Sequence, residues 1–311
     1  MTITDVHTHL APRFDRLPEG IVRDGAVYEL DGERVGMPGL YQPAWLQNWL
    51  DERGIARAWV SAPPPFYRQG LGDSTAAWVQ ALNDGLAAAI DGQERLGLLV
   101  YLPLDEPEAA LAEIARWRGR DAVGWTAAAG GGSRPLDDET LTPVWQALAA
   151  SGRPVLLHPG SSLDRRLDRY YLSNLLGNPV ETTVAAAQLV FGDVLGRHRE
   201  LKIVLVHCGG AVAALSGRWQ RGVDTARPGV APLTLEPRAA IRRLWVDSLS
   251  HSAGLLDLAI EAFGPDRVVL GSDWPFPMGS DDPLRELQKL PKDVGERIAS
   301  DNAAYLVGGG R

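Results

Sequence analysis

The chain reads as a (β/α)8 TIM barrel in a single domain spanning residues 1–311, and three observations predict it. Eight short apolar runs, at residues 3–7, 58–61, 96–102, 122–126, 154–158, 203–207, 244–247 and 268–272, alternate with stretches of helical periodicity. That is the pattern of parallel strands returning through helices. The first run leads into His-Thr-His, where an open dinucleotide-binding sheet would carry a glycine-rich turn. Two connections, about 11–42 and 159–179, are much longer than ordinary βα loops. Both follow strands, the first and the fifth, so both belong over the C-terminal mouth where barrels carry their active sites.

Taken in order, the first run places His7 and His9 two residues apart, so strand periodicity sends both to one face with Asp5 one step deeper. The 11–42 insertion predicts a small hairpin around Asp31-Gly32. Helices follow at 44–53, 75–91, 107–118 and 139–151, separated by the second to fourth strands and by the loop segments Pro63-Pro64-Pro65 and Gly130-Gly131-Gly132. The fifth strand, Pro-Val-Leu-Leu-His, ends at His158 and opens the second insertion, which is rich in Arg, Asp and Tyr. A helix over 180–197 ends in Arg-His-Arg-Glu, where His198 reads as a solvated cation beside helix carbonyls. The sixth strand ends at His207 and is followed by a helix over 211–221. The seventh precedes a helix over 252–263, and the eighth runs into Asp273. The final helical region, 283–306, breaks near Pro291. Both insertions are candidate lids.

With 311 residues, 45% hydrophobic and 23% charged, the chain has ample core and is not disordered. A formal charge of −8 weighs against nucleic acid as a partner. A lone cysteine, Cys208, excludes a disulfide framework and a multi-cysteine metal site, which suits a reducing cytoplasm. No apolar stretch approaches the roughly 18 residues of a membrane span, and MTITDVHTHLAP lacks a signal peptide's pattern. The expectation is a cytoplasmic protein with no membrane partner.

Five candidate ligands therefore converge on one end of the barrel: His7, His9, His158, His207 and Asp273. Imidazoles and a carboxylate gathered this way suit zinc or another borderline divalent ion. His251, in the seventh loop, either lines the mouth against substrate or starts a helix. Cys208 beside His207 reads as a small buried residue and not a nucleophile. Asp5 is placed for a hydrogen bond behind the histidines.

The sequence resembles the amidohydrolase superfamily, in its amidohydrolase-related branch. The likeness rests on Asp5-Val-His-Thr-His-Leu-Ala-Pro, Pro179-Val-Glu-Thr-Thr, Val206-His-Cys-Gly-Gly-Ala, Asp247-Ser-Leu-Ser-His and Val269-Leu-Gly-Ser-Asp-Trp-Pro-Phe-Pro, in family order. The resemblance implies one divalent ion, zinc with manganese as the alternative, held by His7, His9, His158 and Asp273. His207 is then the acid/base off the metal, with Asp273 beside it in catalysis. Binuclear relatives bridge their metals with a carboxylated lysine on the fourth strand. Here that strand reads Ala-Val-Gly-Trp-Thr, and the only lysines are Lys202, Lys289 and Lys292 against 28 arginines. The same likeness implies that Arg34 and Arg218 hold a substrate carboxylate, Arg218 across a homodimer interface, with Phe276 in the pocket. Two departures, Gly160 and Asn174 where relatives carry large rings, imply a pocket of different width or polarity. The implied activity is non-oxidative decarboxylation of a small unsaturated or aromatic carboxylic acid. Hydrolysis of a lactone, amide or related bond in a small carboxylated metabolite is the alternative.

Overall fold

A computed structural model describes residues 2–308 apart from 131, 133, 161 and 163. Part of the Gly130-Gly131-Gly132 segment and part of the 159–179 insertion thus lie outside the described residues.

Eight parallel strands form one sheet: β1 (Thr4–His9), then, after three short strands, β5 (Arg57–Ser61), β6 (Leu96–Tyr101), β7 (Gly124–Ala128), β8 (Val155–His158), β9 (Ile203–Leu205), β10 (Trp245–Asp247) and β11 (Val268–Val269). The intervening β2 (Ile21–Asp24), β3 (Val27–Leu30) and β4 (Glu33–Val35) make a separate antiparallel meander. The ring is drawn together between β1 and the stretch after β11. Val6 N donates to Leu270 O at 2.9 Å, Asp273 N to His7 O at 2.8 Å and His9 N to Trp274 O at 2.8 Å. All eight expected strands are present, so the TIM barrel stands, although strand ends shift by a few residues.

Alternation along each strand divides the interior. Ala58, Val60, Leu98, Val100, Val155 and Leu157 pack outward with helix residues such as Leu46, Leu50 and Val79. Trp59, Leu99, Leu156, Val204, Trp245 and Val269 fill the lumen. The floor is α12 (Asn302–Gly308), whose Ala303 and Leu306 join that inner cluster while Lys202 Nζ donates to Leu306 O at 2.8 Å.

The helices α1 (Pro43–Arg53), α2 (Thr75–Ala89), α3 (Pro107–Arg116) and α4 (Thr142–Ser151) follow the reading closely. The helix expected over 180–197 is two, α5 (Asn178–Phe191) and α6 (Val194–Arg197), because Asp193 adopts φ 54° and breaks the ladder. The following α7 (Val212–Asp224) runs three residues past the expected end, and α8 (Pro237–Ile241) is an addition whose Pro at the first turn was a readable signal. After α9 (Ala253–Phe263), the chain breaks at Pro291 between α10 (Pro283–Leu287) and α11 (Lys292–Glu296), as expected.

The hairpin at Asp31-Gly32 is present as the β3–β4 turn. Its φ angles of 48° and 87° meet the left-handed demand of a two-residue connection, and β2 adds a third strand. His198 is corrected: it is buried, not a solvated cation. Burial, then the neighbouring Arg197 charge, push its imidazole below the ordinary range.

Candidate metal centre

His7, His9 and His158 meet at the mouth with ring centroids 5.0 to 5.1 Å apart. Each ring is fixed from behind by its Nδ1. In His7 it lies 2.7 Å from Asp247 Oδ2, in His158 2.9 Å from Pro159 O, and in His9 3.0 Å from Ser61 Oγ with Ala62 O at 3.3 Å. Carbonyl oxygens only accept, so His9 and His158 carry their proton on Nδ1 and turn an Nε2 lone pair inward. Burial, the largest influence on both, holds them below the ordinary imidazole range and favours the neutral ring that a metal requires.

Asp273 faces these lone pairs. Its Oδ1 lies 3.0 Å from His9 Nε2, 3.3 Å from His7 Nε2 and 4.0 Å from His158 Nε2, while Oδ2 lies 3.6 Å from His207 Nε2. Burial alone would raise this carboxyl, but the imidazoles of His7, His207 and His9 outweigh it and hold Asp273 well below the usual range. For His7 burial pushes downward, and Asp273, Asp247 and Asp5 push upward by more.

The result is a set of four buried atoms without a hydrogen-bond partner: the Nε2 atoms of His7, His9 and His158, and Asp273 Oδ1. Acceptors facing one another in a dry site are costly unless a cation lies between them, so these residues fit a divalent ion. A second grouping is also compact, since ligand atoms of His7, His158, His207 and Asp273 all lie within 4.8 Å of one another. The orphaned atoms favour the first grouping. It contains His9 Nε2, and His207, at 17% side-chain exposure, opens onto a cavity.

That cavity, about 170 Å³, is lined by Asn174, Leu175, Pro179, Leu249, His251 and Met278 beside His207 and Asp273. It is mainly apolar, and among the described residues no arginine or lysine lines it. Phe276 stands edge-on to His9 at 5.2 Å. His207, Cys208, His251 and Asp273 all hold φ between 54 and 61°. Such non-glycine strain, on the order of 1–3 kcal/mol each, gathers where the surrounding structure dictates a side chain's direction.

Other expectations resolve differently. Arg34 is not brought to this cavity: at an exposed position of the meander its Nε donates to Asp24 Oδ2 at 2.7 Å. Arg218 lies exposed on α7. Asp5 does sit behind the histidines, but it binds backbone and not a ring, its Oδ1 accepting from His7 N at 3.0 Å and Ser272 N at 3.1 Å. The carboxylate that holds an imidazole is Asp247, which sequence reasoning missed. The signal was present, because Asp247 ends an apolar strand just as His158 does. Cys208 is buried, and burial together with Asp247 and Glu286 pushes its thiol far upward, which leaves no nucleophile. Lys202 is held at the barrel floor.

Fold and centre together define an amidohydrolase-type barrel. The chain belongs to the amidohydrolase family, which it matches over residues 4–309. It is 30% identical over 237 residues to 2-amino-3-carboxymuconate-6-semialdehyde decarboxylase of Dictyostelium discoideum, a match covering 74% of this chain and 66%, just under two thirds, of that protein. It is 28% identical over 327 residues to 6-methylsalicylic acid decarboxylase of Penicillium expansum, covering 98% and 96%. The manganese-bound dihydroxybenzoic acid decarboxylase of Polaromonas sp. JS666 superposes with a TM-score of 0.79 at 19% identity, covering 100% of this chain and 98% of that one, a likeness of fold alone. Among the described residues, no helix is long and apolar enough to cross a membrane.

Proposed function

We propose that the chain is a mononuclear, metal-dependent, non-oxidative decarboxylase of a small unsaturated or aromatic carboxylic acid, acting as a cytoplasmic homodimer. One observation carries this reading. The three orphaned imidazole nitrogens of His7, His9 and His158 converge on Asp273 Oδ1, itself orphaned, and His207 Nε2 stands at the other oxygen, facing the cavity. A divalent ion held by His7, His9, His158 and Asp273, zinc by ligand type or manganese as in the Polaromonas protein, would supply positive charge that polarises substrate oxygens.

The chain's own residues do the rest. His207 Nε2 delivers a proton to the carbon bearing the carboxylate, a carbon–hydrogen bond replaces the carbon–carbon bond, and carbon dioxide leaves. Asp273 Oδ2 lies 3.6 Å from His207 Nε2 and so sets the proton carrier beside the candidate ligand. The apolar wall receives a planar substrate and excludes water, and Phe276 stands edge-on to His9 beside the metal ligands. Since no arginine among the described residues of one chain lines the cavity, the remaining carboxylate contact falls to His251 in the wall and to Arg218 of a second copy. Arg34 would have to leave Asp24 to take part. The relatives named for decarboxylation support this reading over hydrolysis.

The test is incubation of zinc- or manganese-loaded protein with a panel of hydroxybenzoic and dienoic acids and, in parallel, lactones and amides. Carbon dioxide release is expected. Turnover of lactones or amides with no carbon dioxide from any acid would replace the reading with hydrolysis.

A further inference from the structure

Asp247 closes β10 with no exposed surface, and three contacts leave its carboxylate. Oδ2 pairs with His7 Nδ1 at 2.7 Å. Oδ1 accepts from the backbone N–H of Cys208 at 2.8 Å and of Leu249 at 3.2 Å. One side chain therefore reaches a candidate ligand on β1, the turn that presents His207, and its own loop leading to His251. The Cys208 bond matters because His207 and Cys208 both sit in the left-handed region, at φ 54° and 55°, a conformation that needs outside support. Gly271 gives an independent sign that the pair is built in. A Cβ there would lie 2.7 Å from Asp247 Cβ and 3.0 Å from His7 Cβ, so the position must stay bare where the two side chains meet.

We propose that Asp247 is a positioning residue that sets His7 and the His207 turn in one register, so that the metal ligand and the proton carrier hold their spacing as a unit. The proposal rests on the role given to His207 above. A carboxylate is required because both of its oxygens face N–H donors. An asparagine has one oxygen, and whichever way it turns, its NH2 meets a donor. Facing His7, it would drive the proton onto Nε2 and spoil the ligand; facing Cys208, it would push the turn away.

The test takes the full chain and Asp247→Asn, with Gly271→Ala as a second variant that keeps the carboxylate but crowds the pair. Three quantities are read: metal affinity by chelator competition, hydrogen exchange at the Cys208 amide, and kcat at saturating metal. In both variants the metal dissociation constant should rise about 10- to 100-fold and exchange at Cys208 should quicken. For Asp247→Asn, kcat should fall by about tenfold or more while KM moves much less, and the kcat loss should vanish in a His207→Ala background, as expected of residues acting as a unit. Unchanged metal affinity or unchanged Cys208 exchange in Asp247→Asn overturns the proposal, as do kcat losses that simply multiply. Should the wild type turn over none of the acids, the decarboxylase reading fails separately, and the affinity and exchange measurements still decide the role of Asp247.

Discussion

His158 ends β8 and His207 lies two residues past the end of the neighbouring β9, with rings 5.1 Å apart, and replacing each by alanine should have opposite consequences for the metal. His158→Ala deletes one of the four orphaned atoms and leaves three candidate ligands. His207→Ala leaves all four in place and removes only the neighbour 3.6 Å from Asp273 Oδ2. Alanine at 207 inherits the same left-handed backbone, and the lost ring was partly exposed, so folding should change little. The loss should fall on proton delivery, about 10² to 10⁴-fold in kcat, or about 2.7–5.4 kcal/mol of transition-state stabilisation. Metal content after gel filtration, read beside steady-state kinetics, separates the cases. The expected values are one ion per chain in His207→Ala with little turnover, and neither metal nor turnover in His158→Ala. Arg227→Ala, exposed beyond α7, is the silent reference. If His207→Ala emerges without metal, the grouping of His7, His158, His207 and Asp273 is the true ligand set. His251 then becomes the proton carrier to test.

Burial pushes Asp5 from the usual 3.8 up to about 7. A folded value above the unfolded one contributes stability at pH below about 4 that is lost as pH rises through 7. In metal-free protein, Asp5→Asn, which mimics the protonated acid, should match the wild type near pH 4 and gain up to about 4 kcal/mol on it above pH 7; a pH-independent difference in urea unfolding would refute this. Arg218→Ala should lower activity mainly through KM while the wild type sediments as a dimer, and a fully active monomer at assay dilution would remove the shared-site reading. Cys208 should resist thiol reagents in the native protein and react once in denaturant; fast native labelling would contradict its burial.

The eight strands were legible because both faces of a barrel strand are buried and each reads as an unbroken apolar run. Their ends were not: the run at 268–272 holds only Val268 and Val269 in regular pairing, because the chain beyond turns to bond with β1. The candidate ligands stood out as single polar residues ending such runs. Side chains whose partner comes from another strand or loop were hidden. Asp5 engages Ser272, Asp247 engages His7 and Arg34 engages Asp24, and spacing along the chain carries no sign of these pairings. His198 misled because charged neighbours in sequence do not reveal that the backbone turns its ring inward.

The seam between β1 and the segment after β11 also bears on how the molecule comes into being. Until the last strand leaves the ribosome, the nascent sheet has two open edges, and His7 and His9 wait on one of them for Asp273 on the other. Open parallel edges invite wrong pairing, so late closure exposes this chain for almost the whole of its synthesis. A cation gripped by both sides of the seam would act as a clasp on the finished ring. Chelation should therefore loosen the barrel first at β1, long before the wall at β6 and β7, which carries no candidate ligand, gives way.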